Sequence, residues 1–133
     1  MASISDQINA AKDVLKETLP SPPDLDAQVT PDNLKQRLEW GEPALTIVDV
    51  RDRDVFNELR IQGAINMPQA ELAQMAQGAL ARDRDIFVYG ADDAHTTAAA
   101  RTLRGLGFTR VAEIVGGLMV WAAINGPTEG RAA

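Results

Sequence analysis

The chain contains no cysteine. That absence removes disulfides, thiolate metal sites and every reaction that begins with a thiolate, so it restricts chemistry more than cellular compartment. Histidine is nearly absent too, with one residue, His95, in 133. Aromatic residues make up only 5% of the sequence, which leaves most of the core to aliphatic side chains. Positive charge is outnumbered: 13 Lys and Arg against 19 Asp and Glu give a formal net charge of -6. Such a field opposes general nucleic-acid binding, which needs clustered Lys and Arg on phosphates, and admits small anions only where a local positive pocket overrides it. No apolar run approaches membrane-spanning length, and the first residues lack the basic start and continuous apolar stretch of a signal peptide. The expectation is a cytoplasmic protein that binds neither membrane nor nucleic acid.

What is present fits one soluble domain, with 45% hydrophobic and 24% charged residues. Ile4, Ile8, Ala11, Leu15 and Leu19 recur at helical spacing, behind a weak capping box of Ser3 and Asp6. Pro20-Ser21-Pro22-Pro23 then forms a stiff linker. Residues 1–23 are therefore read as an N-terminal helix and Pro-rich linker, and residues 24–133 as the domain proper. The helix is read as an extension packed on that domain; an arm reaching to a partner is the other reading.

Within the domain, helical and strand patterns alternate. Thr30 caps, Pro31 occupies a first turn where its missing N–H costs nothing, and Leu34 and Leu38 supply a buried stripe that Gly41 ends. Leu45 to Val50 is short, apolar and β-branched, the pattern of a buried strand. Val55 to Leu59 reads as a short helix, Ala64 to Pro68 as a short strand, Glu71 to Ala81 as a helix and Asp85 to Tyr89 as a second strong strand. Thr96 to Leu106 is a helix with Ala99, Leu103 and Leu106 inward, ended by Gly107; Val111 to Ile114 is a last strand and Gly117 to Ile124 a last helix. Strands alternating with helices imply a mostly parallel sheet of about five strands covered on both faces, an α/β fold in three layers. Ligands gather at the carboxyl ends of such strands, so the loops after Val50 and Tyr89 matter most.

Several segments, taken in order, resemble the rhodanese-like domain family. Thr46-Ile47-Val48-Asp49-Val50-Arg51 is similar to its strand-ending Asp-x-Arg signature, and Gln62-Gly63-Ala64-Ile65-Asn66-Met67-Pro68 to its Gly-Ala-x-Asn-x-Pro element. Gly105-Leu106-Gly107-Phe108 and Gly116-Gly117-Leu118-Met119-Val120-Trp121 resemble its closing Gly-Phe and Gly-Gly-x-x-x-Trp segments. The resemblance runs from about Val29 to Pro127. It implies a loop after the central strand in which a cysteine takes up a sulfur atom as a persulfide and passes it on. Backbone amides at a helix N-terminus would lower the thiol pKa and hold an anionic donor.

The stretch VYGADDAHTTA, Val88 to Ala98, occupies that place and matches the loop length of the sulfurtransferases, one residue shorter than the related dual-specificity phosphatase branch. Aligned without gaps, the family's cysteine falls on Gly90, its loop arginine on His95 and its serine on Thr96. Asp92 and Asp93 bring negative charge where the family binds an anion, and Leu59-Arg60-Ile61 stands where many members have Gly-His-Ile. The frame is present and the reactive atom is missing.

Each residue of the loop Gly90, Ala91, Asp92, Asp93, Ala94, His95 and Thr96 has a plain reading beside a chemical one. Gly90 is taken to tolerate a positive φ at the strand-to-loop turn rather than to admit a ligand. One of Asp92 and Asp93 is expected to turn inward and accept the loop's own amides as an N-cap does; with His95 they make a poor metal site, and no metal or other cofactor is expected. A hydrolase built on His95 and the hydroxyls of Thr96 or Thr97 lacks an orienting third group. Asp49 and Arg51 are read as structural supports, Trp121 as core and Trp40 as partly exposed. The functional expectation is a catalytically inactive rhodanese-like domain with a binding or regulatory role, acting on an unknown protein partner. An enzyme of altered chemistry and a small-molecule or metal binder, each using Gly90 to Thr96, are the alternatives.

Overall fold

The computed structural model describes residues 26–40 and 44–132. The helix and linker expected over residues 1–23, and Gly41 as a helix stop, lie outside the described residues.

The five-stranded sheet is parallel throughout. Its strands are β1 (Gln28–Val29), β2 (Leu45–Asp49), β4 (Ile65–Asn66), β5 (Asp85–Tyr89) and β6 (Val111–Ile114), in the order β1-β6-β5-β2-β4. The central pair β2 and β5 is in register from Leu45 opposite Asp85 to Asp49 opposite Tyr89. Five helices are described: α1 (Pro31–Glu39), α2 (Arg53–Glu58), α3 (Leu72–Ala79), α4 (Asp93–Gly105) and α5 (Gly117–Ala123).

The strands are apolar on both faces because both faces are covered. Successive side chains alternate across the sheet, and the core divides accordingly. Val48, Val50, Ile86, Val88 and Val111 face the layer of α3 and α4, where Leu72, Ala76, Ala99, Ala100 and Leu103 pack. Ile47, Phe87, Tyr89, Ala112 and Ile114 face the opposite layer, with Leu34 of α1 and Trp121 of α5. Trp121 is fully buried and its indole N–H donates to the Pro127 carbonyl at 2.7 Å.

Local signals explain the helix starts. Thr30 holds extended backbone and its hydroxyl accepts from the Asn33 amide at 3.2 Å, with Pro31 in the first turn. Leu38 departs from the expected buried stripe: it is 37% exposed, because α1 meets the sheet through Leu34 and turns Leu38 outward near Trp40, which is 80% exposed. α4 begins at Asp93, three residues ahead of the expected Thr96, because Asp92 rather than a later residue caps it. The segment expected to be a strand from Ala64 to Pro68 pairs only at Ile65–Asn66, at one edge of the sheet. β1 at the other edge and a two-stranded antiparallel ribbon of β3 (Arg60–Ile61) with β7 (Thr128–Glu129) have no alternating pattern long enough to announce them.

At the amino end of β5, Asp85 is buried and takes ion pairs from Arg37, at 2.7 Å, and Arg110. This joins α1, β5 and the start of β6. Burial opposes the Asp85 charge, but the hydrogen bonds from Arg110 and Arg37 outweigh it and hold the carboxyl below its ordinary pKa of 3.8. A depressed folded-state pKa stabilises the fold above the unfolded value and ceases to do so as pH falls through the folded one. Asp85→Asn is therefore expected to lower stability at pH 7 by about 2 kcal/mol. Urea unfolding below pH 4 should show the wild type losing its advantage over the variant; a constant difference down to acid would contradict the assignment.

Candidate functional site

The carboxyl ends of β2, β5 and β6 meet at one edge of the domain, and the loops leaving them enclose an open cavity of about 540 Å³. Arg51, Leu59, Gly90 to Asp93, Gly116 to Met119 and Ala122 line it.

Asp49 ends β2 on the same face as Tyr89 of β5 and is 0% exposed. A carboxylate so far from water needs partners, and Arg51 supplies them. The Arg51 amide donates to Asp49 Oδ1 at 2.9 Å, Nε to both carboxylate oxygens at 3.0 and 3.1 Å, and Nη2 to Oδ2 at 2.6 Å. Nη2 also donates to the Leu59 carbonyl at 2.6 Å, which ties the loop after β2 to the start of β3. The guanidinium lies 5.4 Å from the Tyr89 ring centroid, and the Tyr89 hydroxyl accepts from the Ile61 amide at 3.1 Å. Burial works against the Arg51 charge, but the hydrogen bond and charge of Asp49 outweigh it and raise its pKa. Burial first, and the negative charge of Asp49 next, push the Tyr89 phenol up. The Asn66 side-chain amide donates to the Asp49 and Arg51 carbonyls at 3.1 and 2.9 Å.

The loop after β5 closes on itself. The Gly90 amide donates to the Thr96 hydroxyl at 2.9 Å, and that hydroxyl donates to the Asp92 carbonyl at 3.0 Å. Asp92 Oδ1 accepts the His95 amide at 2.8 Å and lies 2.7 Å from His95 Nδ1. The amide and then the ring of His95 hold the Asp92 carboxyl below its ordinary pKa. Asp93 reaches across the cavity mouth, where Oδ1 accepts the Gly116 amide at 2.9 Å. Asp92 thus caps the helix start through the His95 amide, but it does not turn inward as expected: its side chain is 60% exposed, because a cap on the first turn is reached from the solvent side, while Asp93 joins the loop to the β6–α5 connection.

Gly90 needs a correction. Its φ is not among the positive glycine values, so a left-handed turn is not the reason for glycine here. Space is: a Cβ at this position would lie 3.0 Å from His95 Cβ and 3.2 Å from Val50 Cγ2. Among the glycines lining the cavity, Gly116 and Gly117, with φ of +84° and +54°, are the ones that use glycine's freedom, where β6 turns into α5.

The chemical alternatives find little here. The Thr96 hydroxyl is buried and engaged within its own loop, and the Thr97 hydroxyl donates to Glu113 at 2.6 Å, so neither contacts His95. Among the described residues, no group of three or more His, Cys, Asp or Glu side chains is placed to hold a metal ion. Arg60 donates to Glu129 at 3.1 Å and lies over the Phe56 ring, and it does not line the cavity. Leu59 and the wall of Gly116 to Met119 were not assigned to the site from sequence, although the rule that ligands collect at strand ends applies equally to the loop after β6.

Two substitutions test this geometry. Gly90→Ala is expected to lower stability by about 1 kcal/mol through overcrowding, and by less in a His95→Gly background where one contact atom is gone. A gain in the urea midpoint for the single variant would refute the crowding. Asp49→Ala leaves Arg51 unpaired in a nearly dry site and should lower the folding free energy by about 3–5 kcal/mol in the same assay.

Comparison with known proteins agrees with this frame. A family model described as the rhodanese-like domain matches residues 30–124. An HTH-type transcriptional regulator of Mycobacterium tuberculosis is 36% identical over 129 residues, 95% of this chain and 52% of that protein. A thiosulfate sulfurtransferase of Coxiella burnetii is 29% identical over 79 residues, 59% of this chain and 73% of the enzyme. The chain spans about half the length of some curated relatives it matches, the regulator among them. In solved structures, a rhodanese-like domain from Anabaena sp. shares 50% identity, covers 81% of this chain and 82% of its own, and superposes with a TM-score of 0.79. Sheet order, the Asp49–Arg51 strand end and the matched residues together make this chain a member of the rhodanese-like domain family.

Proposed function

We propose that this rhodanese-like domain does not transfer sulfur and instead serves a binding or regulatory role for a protein partner. The observation that carries the reading is that the chain has no cysteine; in the resemblance drawn from the sequence, the family's sulfur-carrying cysteine aligns with Gly90 at the head of the loop. A persulfide needs a thiolate, and no side chain here supplies one.

Two further features support the reading. Asp92 takes up the His95 amide at the helix N-terminus, the kind of group that would otherwise favour an anionic donor. Asp93 adds a second carboxylate at the same mouth, where an incoming anion would meet repulsion. One similar protein is named as a transcriptional regulator, which is compatible with a regulatory use of the fold. In this proposal residues 24–133 are the binding domain, residues 1–23 an accessory segment, Asp49 and Arg51 supports of the cavity, and the setting cytoplasmic.

The test is thiocyanate formation from thiosulfate and cyanide. The purified chain is expected to match its heat-denatured control, and reproducible turnover above that control would overturn the proposal. Gly90→Cys alone should stay near background, since its Cβ is crowded and the loop charge is unfavourable. Adding His95→Arg, Asp92→Ser and Asp93→Asn to it should raise the rate.

A further inference from the structure

The cavity is large enough for a side chain with part of its backbone, and its walls have the wrong charge for the anion their shape would otherwise suit. Arg51 is the only cation among the lining residues, and Asp49 neutralises it through a buried, multiply hydrogen-bonded pair. Asp93, and Asp92 through the oxygen that His95 does not engage, are therefore left to set the local field, in a chain whose net charge is already -6. Asp93 uses one carboxylate oxygen, Oδ1, on Gly116.

The rest of the wall is apolar, formed by Leu59, Ala91, Leu118, Met119 and Ala122. That apolar surface continues outside the cavity: Met119 is 84% exposed, Val120 40% and Val115 39%. Scattered exposed apolar residues need no explanation, but Met119 lines the acidic cavity itself, and Val115 and Val120 adjoin the lining residues Gly116 and Met119 in the chain. A small free cation would satisfy the carboxylates and leave them in water. A polypeptide segment carrying a cation between apolar residues would cover both.

We infer that the cavity receives an arginine or lysine side chain from a partner protein, with Asp92 and Asp93 meeting the cation and Met119 and Val120 covering its apolar neighbours. This rests on the domain being a binding module and adds the chemistry of what it binds. The charge of the pocket is inverted relative to an anion cradle while its position in the fold is kept.

The probe is a short acetylated and amidated peptide, Leu-Arg-Leu-Leu, titrated into the full ¹⁵N-labelled chain and followed by amide shifts. Shifts are expected at Gly90 to Asp93 and Gly116 to Ala122. A matched peptide with citrulline in place of arginine should bind about tenfold more weakly, and one with glutamate more weakly still. Raising the ionic strength should weaken the arginine peptide and leave the citrulline peptide nearly unchanged. Asp93→Asn, which keeps an acceptor for Gly116, should weaken the arginine peptide about fivefold. Glutamate and arginine peptides binding equally, shifts that map away from the cavity, no shifts at millimolar peptide, or an Asp93→Asn variant with unchanged affinity would each overturn the inference. None of these outcomes bears on sulfur transfer, which the thiocyanate assay decides separately.

Discussion

The site depends on a charge placed where water cannot reach it. Asp49 is 0% exposed at the end of β2, and an unpaired carboxylate there would ionise only at great cost. Arg51, two residues on, reaches back to it through its amide, Nε and Nη2. The same guanidinium then holds the Leu59 carbonyl, while Asn66 holds the Asp49 and Arg51 carbonyls. The ion pair and the Asn66 amide together join the ends of β2 and β4 to the start of β3. The cavity wall at Arg51 and Leu59 is a consequence of that pairing, and it does not require any reaction to take place.

This separation of frame from reaction explains how the fold persists without its cysteine. The core is divided by strand alternation into two clusters, and neither contains a residue of the loop from Gly90 to His95. Packing energy therefore places few demands on the loop's side chains. Glycine at position 90 then lets the loop settle closer to Val50 and His95 than a side chain would permit.

Much of this could be read from sequence because the signals were long or chemically sharp. Asp85 to Tyr89 and Val111 to Ile114 form strands with the expected bounds because apolar runs of this kind suit a strand covered on both faces. Thr30 and Pro31 mark a helix start by hydrogen-bond chemistry that does not depend on the rest of the fold. The failures are tertiary. Leu38 has the right spacing and the wrong neighbour, since nothing in a helical period says which turn meets the sheet. The ribbon of Arg60–Ile61 with Thr128–Glu129 is two residues per strand, and it joins segments nearly seventy positions apart. The reason for Gly90 was misjudged because glycine signals both left-handed backbone and lack of room, and only coordinates distinguish them.

An anion cradle is costly to leave empty, because amide groups at a helix start then have no partner unless water supplies one. A sulfur-transferring loop can tolerate this when its thiolate and donor occupy the amides during the reaction. An acceptor carried by the chain itself removes that cost, and Asp92 supplies one through the His95 amide. A side chain placed at Gly90 would meet a crowded Cβ position beside a cavity that Asp92 and Asp93 also line. The cap at Asp92 and the carboxylate of Asp93 thus serve the loop's own hydrogen bonds and at the same time set negative charge at the cavity mouth.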